Sequence, residues 1–333
     1  DMERIGHIRK SFEESDYGRK LIAESDPHSN TSHAGDEAKP KRKRYATGFL
    51  RQLRTLMHRS FLTTLRDPVL LRVRIVQILL TASIIGMVSW RTEIAGPTVM
   101  NIEGVLYNVA RDMNFLFLFP SVNFICAELP LFFREHKARI YSVEAYYLSK
   151  SFAELPQYTV LPLTYAIIVY WTTGLIPMFS KFIIFCVINV LQVWVATSIA
   201  YAGACIFGEE GMAVTYIPIY ILPMLLFGGF YINYNSIPVY FQWLSHLSWF
   251  KYGFESLQIN QWEEIDSIAG CPRNDTLPKD CTAYDGLGIL TRRGMKTESF
   301  MPDVLCLVGF FVIYRLIGFF ALFMRAKFQK SDA

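Results

Sequence analysis

The chain alternates long apolar runs with short polar segments. Six runs can cross the ~30 Å hydrocarbon core of a bilayer as α-helices, the first with help from flanking arginines that snorkel to the interface. They cover about residues 70 or 75 to 90, 103 or 113 to 133, 151 to 175, 182 to 207, 212 to 231 and 304 to 324. This pattern predicts an all-α polytopic membrane protein with six transmembrane helices and a membrane domain over residues 70–330.

A less apolar stretch precedes the first run. Between Thr47 and Arg66, apolar side chains recur at near-helical spacing with four arginines among them, which is typical of an amphipathic helix at the inner membrane surface. Pro68 follows, and proline readily starts a new helix. We therefore predict an amphipathic connecting helix over residues 45–69, preceded by a polar cytosolic linker over residues 1–44.

The stretch LFGGFYINYNSIPVYFQWLSHLSWFKYGFESL, residues 226–257, is apolar but unsuited to a simple span. Gly228, Gly229 and Pro238 interrupt it, and a broken backbone carries polar groups that hydrocarbon cannot satisfy. Because such backbone is tolerated only against protein, we predict short helices that re-enter the outer leaflet. Aromatic residues are expected at headgroup level, namely Tyr240, Trp243, Trp249 and Tyr252.

Composition and charge favour a membrane protein over a soluble one. The 333 residues are 52% hydrophobic, 15% aromatic and only 19% charged, with a formal net charge of +4. Basic clusters lie before the first span, after the second and after the sixth, as in an inside-positive membrane protein and not a nucleic-acid-binding patch. Both termini are therefore expected in the cytosol, with the spans in the plasma membrane or a vesicle membrane.

This topology places residues 263–300 outside. Cys271 and Cys281 both lie in that loop, whereas the other four cysteines lie in apolar spans. Two cysteines in an oxidising compartment are expected to form a disulfide. The same loop carries Asn274 in an Asn-Asp-Thr glycosylation sequon. Three independent features thus agree on the sidedness of this loop.

Several stretches of the chain resemble the White-type, or G-subfamily, ATP-binding cassette transporters. In the order of that family they read RDPVLLRVRIVQ, AELPLFFREHKARIYSVEAYYLSKSFAELP, LLFGGFYIN, SIPVYFQWLSHLSWFKYGFESLQINQW, and the outer loop with its cysteine pair. The resemblance implies a type II exporter fold and a half-transporter that dimerises with an identical or related half.

In that family a nucleotide-binding domain that holds ATP and Mg2+ precedes the membrane domain. No G-x-x-x-x-G-K-[ST] motif occurs here, so this chain cannot cradle ATP phosphates by itself. The first residue is Asp1, and the opening RIGHIRKSFEESD resembles the family's linker after the ATPase. We therefore expect a truncated sequence; loss of the domain from the gene is the alternative.

Charged side chains inside spans are costly and are therefore functional candidates. Glu128, Glu154 and Arg315 fall at comparable depth in the inner half of the membrane. We predict that Arg315 pairs with one or both glutamates, with Asn123 about one helical turn above. The positions fit a purely structural ion pair, and the resemblance slightly favours a relay that couples the ATPase to the membrane helices.

The segment from Glu128 to Tyr141 ends the second span and enters the cytosol. By resemblance it is the coupling helix that docks on the nucleotide-binding domain, with Glu135 among the residues it presents. An inside-positive anchor alone would explain the basic residues of this segment but not Glu135 among them.

By resemblance, substrate passes through a slit on the dimer axis, lined by the second and fifth spans of both protomers. The matching residues are Met113, Leu116, Phe117, Leu222, Leu225 and Leu226, although ordinary helix packing accounts for such residues equally well. The resemblance also places Phe230 and Tyr231 as a gate between inner cavity and exit. The histidine and cysteine spacing predicts no metal site and no catalytic residues.

Together these features predict the membrane domain of an ATP-driven transporter for small lipophilic or aromatic substrates, such as pigment precursors, sterols, lipids or xenobiotics. It would work by alternating access. Two other classes stay open. An ATP-independent channel or carrier would lack an upstream P-loop in the full transcript, and a non-transporting membrane partner would keep the fold without turnover.

Overall fold

The computed structural model describes residues 10–19, 45, 47–66, 68–271, 281 and 283–328. The chain divides into two units after Arg44. In the first unit, residues 10–19 are helical apart from a bend at Ser15. The second unit is helical throughout its described ranges, apart from turns and a single β-bridge between Ala95 and Ala269.

The helices of the second unit are labelled α1 to α11 in chain order. They are α1 Phe49–Arg66, α2 Pro68–Val88, α3 Val99–Lys137, α4 Val143–Glu154, α5 Gln157–Thr172, α6 Phe179–Phe207, α7 Glu210–Leu226, α8 Gln242–Leu247, α9 Trp249–Trp262, α10 Gly286–Arg293 and α11 Phe300–Phe328.

Four of these helices, α2, α3, α6 and α11, are long and apolar enough to cross a membrane, counting within the described residues. The helices α5 and α7 have 16 and 17 residues. The predicted third span is split into α4 and α5 at Pro156, whose ring has no N–H to continue the hydrogen-bond ladder. The all-α membrane fold is confirmed, and the six-span count stays a prediction.

Several element boundaries differ from the prediction. The helix α3 joins the predicted second span and most of the segment predicted as the coupling helix into one helix that ends at Lys137, and its 39 residues span roughly 58 Å, well beyond a bilayer core. The helix α7 ends at Leu226 instead of Tyr231, because Gly229 adopts φ +92° and turns the chain. The connecting helix and the new start at Pro68 lie where the sequence placed them.

The re-entrant segment is built against protein. Ser248 is the residue between α8 and α9. Its hydroxyl donates to the Met224 carbonyl oxygen at 2.5 Å, so the junction of these two helices is bonded to the end of α7. Trp249 is fully buried, and its indole N–H donates to Asn114 Oδ1 at 2.7 Å. The expected headgroup position of Trp249 is therefore wrong, whereas Tyr240 and Trp243 are exposed.

Candidate functional site

A cluster of charged and phenolic side chains joins α3, α4, α6 and α11 in the inner half of the bundle. Lys150 Nζ lies 2.7 Å from Glu128 Oε1 and 3.2 Å from Glu154 Oε1. Tyr201 donates its hydroxyl to Glu154 Oε2 at 2.5 Å. The Lys150 and Glu154 side chains are only 4% and 2% exposed, so both are held away from water, whereas the Glu128 side chain is 24% exposed. We call Glu128, Lys150, Glu154, Tyr201 and Arg315 the inner network.

Arg315 contacts the inner network through the aromatic ring of Tyr201, and it forms no ion pair with Glu128 or Glu154 within the described residues. Its guanidinium carbon lies 4.1 Å from the Tyr201 ring centroid, and it donates to Ser151 Oγ at 3.1 Å. The predicted pairing of Arg315 with Glu128 or Glu154 is wrong for the described residues, because Lys150 occupies the position between the two carboxylates. The sequence did contain an indication of the Lys150–Glu154 ion pair, because the two residues are four positions apart on one helix.

Asn123 lies outside the inner network. Its side chain is exposed and falls on the same stripe of α3 as Leu116 and Ala127, at i+7 and i+11 from Leu116. Residues at this spacing share one helix face. Asn123 lies five residues before Glu128 on α3, a little more than one helical turn away, and its side chain belongs to the exposed face of the helix.

The six predicted cavity residues divide into two groups. Met113 and Phe117 are core residues, and the Phe117 ring packs edge-on against Tyr158 at 6.3 Å. Because α3 turns this side toward α5, neither side chain lies on a surface that a second protomer can reach in this conformation. The other four residues are exposed or half-buried, namely Leu116, Leu222, Leu225 and Leu226.

Glu135 is tied to the connecting helix. Arg59 Nη1 of α1 lies 3.0 Å from Glu135 Oε2, and the Tyr141 hydroxyl donates to the same oxygen at 2.7 Å. Burial, and then the hydrogen bond to Glu135, raises the pKa of Tyr141, so the phenol stays protonated and keeps donating at neutral pH. Glu135 thus has an intrachain role that its basic neighbours do not reveal.

Four aromatic rings cluster at the opposite end of α3. Phe230 stacks on Tyr107 with ring centroids 4.4 Å apart, and Tyr231 meets the same ring edge-on at 5.2 Å. Phe254 of α9 packs edge-on against both Tyr107 and Phe230. We call Tyr107, Phe230, Tyr231 and Phe254 the outer gate, after the role that the resemblance predicts for Phe230 and Tyr231. The first and last of these were missed, because their aromatic side chains carry no signal of a shared site in the sequence.

The outer loop is anchored where it meets the bundle. Cys271 and Cys281 form a disulfide, as predicted. The Gly96 N–H donates to the Ala269 carbonyl oxygen at 3.0 Å, which holds the loop against the start of α3. Asn274, the predicted glycosylation site, lies outside the described residues.

Apolar helices of membrane-spanning length, with a charge network near one end of α3 and an aromatic cluster near the other, are typical of a membrane transport domain. The chain belongs to the ABC-2 type transporter family, whose pattern matches residues 51–262. It is the membrane domain of a G-subfamily, White-type transporter, as the sequence resemblance indicated.

Named relatives support this assignment. The chain is 38% identical to "ABC transporter ATP-binding protein/permease wht-1" of Caenorhabditis elegans, over 98% of this chain and 50% of that protein. It is 35% identical to "Protein white" of Drosophila melanogaster, over 85% and 40%. With "Protein scarlet" of the same fly it shares 30% identity, over 81% and 40%. The chain thus spans half or less of the length of these relatives.

Proposed function

We propose that this chain is the membrane half of an ATP-driven transporter that moves small lipophilic or aromatic substrates by alternating access in a dimer. The observation that carries the proposal is a continuous path of contacts from the cytosolic side into the bundle. Glu135 contacts Tyr141, the Tyr141 ring stacks on Tyr146 at 5.8 Å, and Tyr146 donates to Glu128 at 3.3 Å. Glu128 in turn belongs to the inner network.

A single long helix connects this path to the outer gate. The helix α3 carries Glu135 near its inner end and Tyr107 near its outer end, about 42 Å apart along the axis. A push on the inner end of this helix would be passed toward its outer end through Pro120 and Pro130, which interrupt its hydrogen-bond ladder. ATP and Mg2+ at an upstream nucleotide-binding domain would supply that push, in keeping with the words "ATP-binding protein/permease" in a relative's name.

The second half-transporter would complete the substrate slit. The exposed residues Leu222 and Leu226 of α7, together with the exposed stripe of α3 that includes Leu116 and Asn123, offer a lining for it. An apolar lining with one amide suits lipophilic or aromatic molecules. The membrane would be the plasma membrane or that of a vesicle, with both termini in the cytosol.

Glu135→Gln should weaken the coupling of ATP hydrolysis to transport and leave stability nearly unchanged. Arg59 is half exposed, and an exposed ion pair contributes about 1 kcal/mol or less. We expect substrate moved per ATP to fall severalfold in the full-length dimer, measured as uptake and hydrolysis in the same vesicles.

The matched variant is Arg59→Gln, which removes the other partner. If the two residues act as one unit, the double variant should be no worse than either single one. Wild-type coupling in both single variants would rule out a role for this contact.

A further inference from the structure

Arg293, the last residue of α10 in the outer loop, contacts both the outer gate and α3. Its Nε and Nη2 donate to Glu103 Oε1 and Oε2, each at 2.8 Å. Its Nη1 donates to the Gly229 and Phe230 carbonyl oxygens, each at 3.2 Å. The guanidinium carbon also lies 5.5 Å from the Phe230 ring centroid. One side chain therefore joins three separate parts of the chain.

The Arg293–Glu103 contact is a bidentate ion pair that is largely buried from solvent. The Glu103 side chain is 5% exposed and that of Arg293 is 17% exposed. A planar guanidinium presents two parallel N–H groups to a carboxylate while its remaining N–H groups reach other acceptors. A lysine ammonium would keep the charge but could not make all of these contacts in the same geometry.

The frame around Arg293 fixes its position. Asp285 accepts from the Gly288 N–H at the start of α10, and Gly294 closes the helix with φ +75° and N–H bonds to the Leu290 and Thr291 carbonyl oxygens. The Asn233 side chain donates to the carbonyl oxygen of the preceding residue, Arg292, at 2.7 Å, so the segment after α7 meets α10 a second time.

We propose that Arg293 is a latch that holds the outer gate shut, and that Glu103 positions it. The proposal rests on the proposed function, since a gate matters only where substrate passes. The backbone of Gly229 and Phe230 cannot move away from α10 while both carbonyl oxygens stay bound to Arg293, and the guanidinium also lies beside the Phe230 ring. Opening therefore requires α10 to move with the gate or to release it, which gives the outer loop a direct part in closure.

The test uses the full-length transporter with Cys306→Ser and a reporter, Leu226→Cys, on the inner side of the gate. Reaction of this cysteine with a membrane-impermeant thiol reagent added outside measures opening in the absence of nucleotide. Arg293→Gln should raise the reaction rate on the order of tenfold, which corresponds to about 1.4 kcal/mol in the closed–open equilibrium. Arg293→Lys should give an intermediate rate, and Glu103→Gln should also raise it.

The control is Lys296→Gln, which removes a positive charge from an exposed position three residues further along the outer loop; its rate should stay at the wild-type value. A wild-type rate in Arg293→Gln, or in Arg293→Lys if the first variant does not reach the membrane, overturns the latch. A parent reporter whose rate is the same with and without trapped ATP would instead contradict the gate of the proposed function.

Discussion

Lys150→Met should lower the free energy of unfolding by about 3–5 kcal/mol, the usual cost of leaving a buried charge without its partner. The Lys150 side chain is 4% exposed and contacts both Glu128 and Glu154. Without it, the two carboxylates face each other with no cation between them. We expect a sharply lower thermal transition in detergent and little mature protein in the membrane.

Neutralising the carboxylates should rescue this variant. Lys150→Met combined with Glu128→Gln and Glu154→Gln removes the repulsion between the two carboxylates and leaves Arg315, held by Ser151 and the Tyr201 ring, as the only charge of the inner network; neutral replacements within a buried ion cluster are often tolerated. The matched control is Lys137→Met at the exposed end of α3, which should change stability by about 0.5 kcal/mol or less. A wild-type transition temperature in Lys150→Met would show that this lysine does not bind the two glutamates.

Replacing Phe230 and Tyr231 together by alanine should uncouple ATP hydrolysis from transport. The substitutions remove the stacked and edge-on contacts with Tyr107, and aromatic pairs contribute about 0.5–1.5 kcal/mol each. Folding should stay largely intact, because the Tyr231 side chain is 60% exposed. A closed gate weakened by about 1.4 kcal/mol opens tenfold more often, so transport per ATP should fall by roughly that factor or more.

The measurement is substrate export and ATP hydrolysis by the same reconstituted dimers. Tyr231→Phe is the matched control, since it keeps the ring that meets Tyr107 and should keep the coupling ratio. An unchanged ratio in the double alanine variant would refute the assignment of these residues to a gate.

Much of the fold could be predicted because membrane helices are marked by apolar length and their breaks by glycine and proline. The re-entrant helices after Pro238 follow in this way, whereas the helix α7 ends at Leu226 and not at the predicted Tyr231. The second span and the coupling helix were predicted as separate elements because the last turns of α3 are basic and not apolar, but the structure joins them in one helix that ends at Lys137. Trp249 was placed at the headgroups, since its polar partner Asn114 lies on a distant helix.

The candidate site was predicted less completely. A sequence indicates how deep in the membrane a residue lies, but not which neighbouring helix its side chain faces. Glu128 and Glu154 were predicted at comparable depth, and both contact one cation. That cation is Lys150 and not Arg315. Glu103 and Arg293 are 190 positions apart in the chain. The sequence around either residue gives no indication that the other is its partner. Met113 and Phe117, which the resemblance assigned to the cavity, are core residues in this conformation, and polarity gives no helical phase within an all-apolar run.

ATP dependence of flux decides between an ATP-driven transporter and a passive channel or carrier. The full-length protein with its partner half would be placed in vesicles that expose the nucleotide-binding domains, and accumulation of a labelled lipophilic substrate would be followed. Uphill accumulation with ATP, and none with ADP or a non-hydrolysable analogue, is the expected result. Equal flux under all three conditions, stopping at equilibrium, would contradict an ATP-driven mechanism.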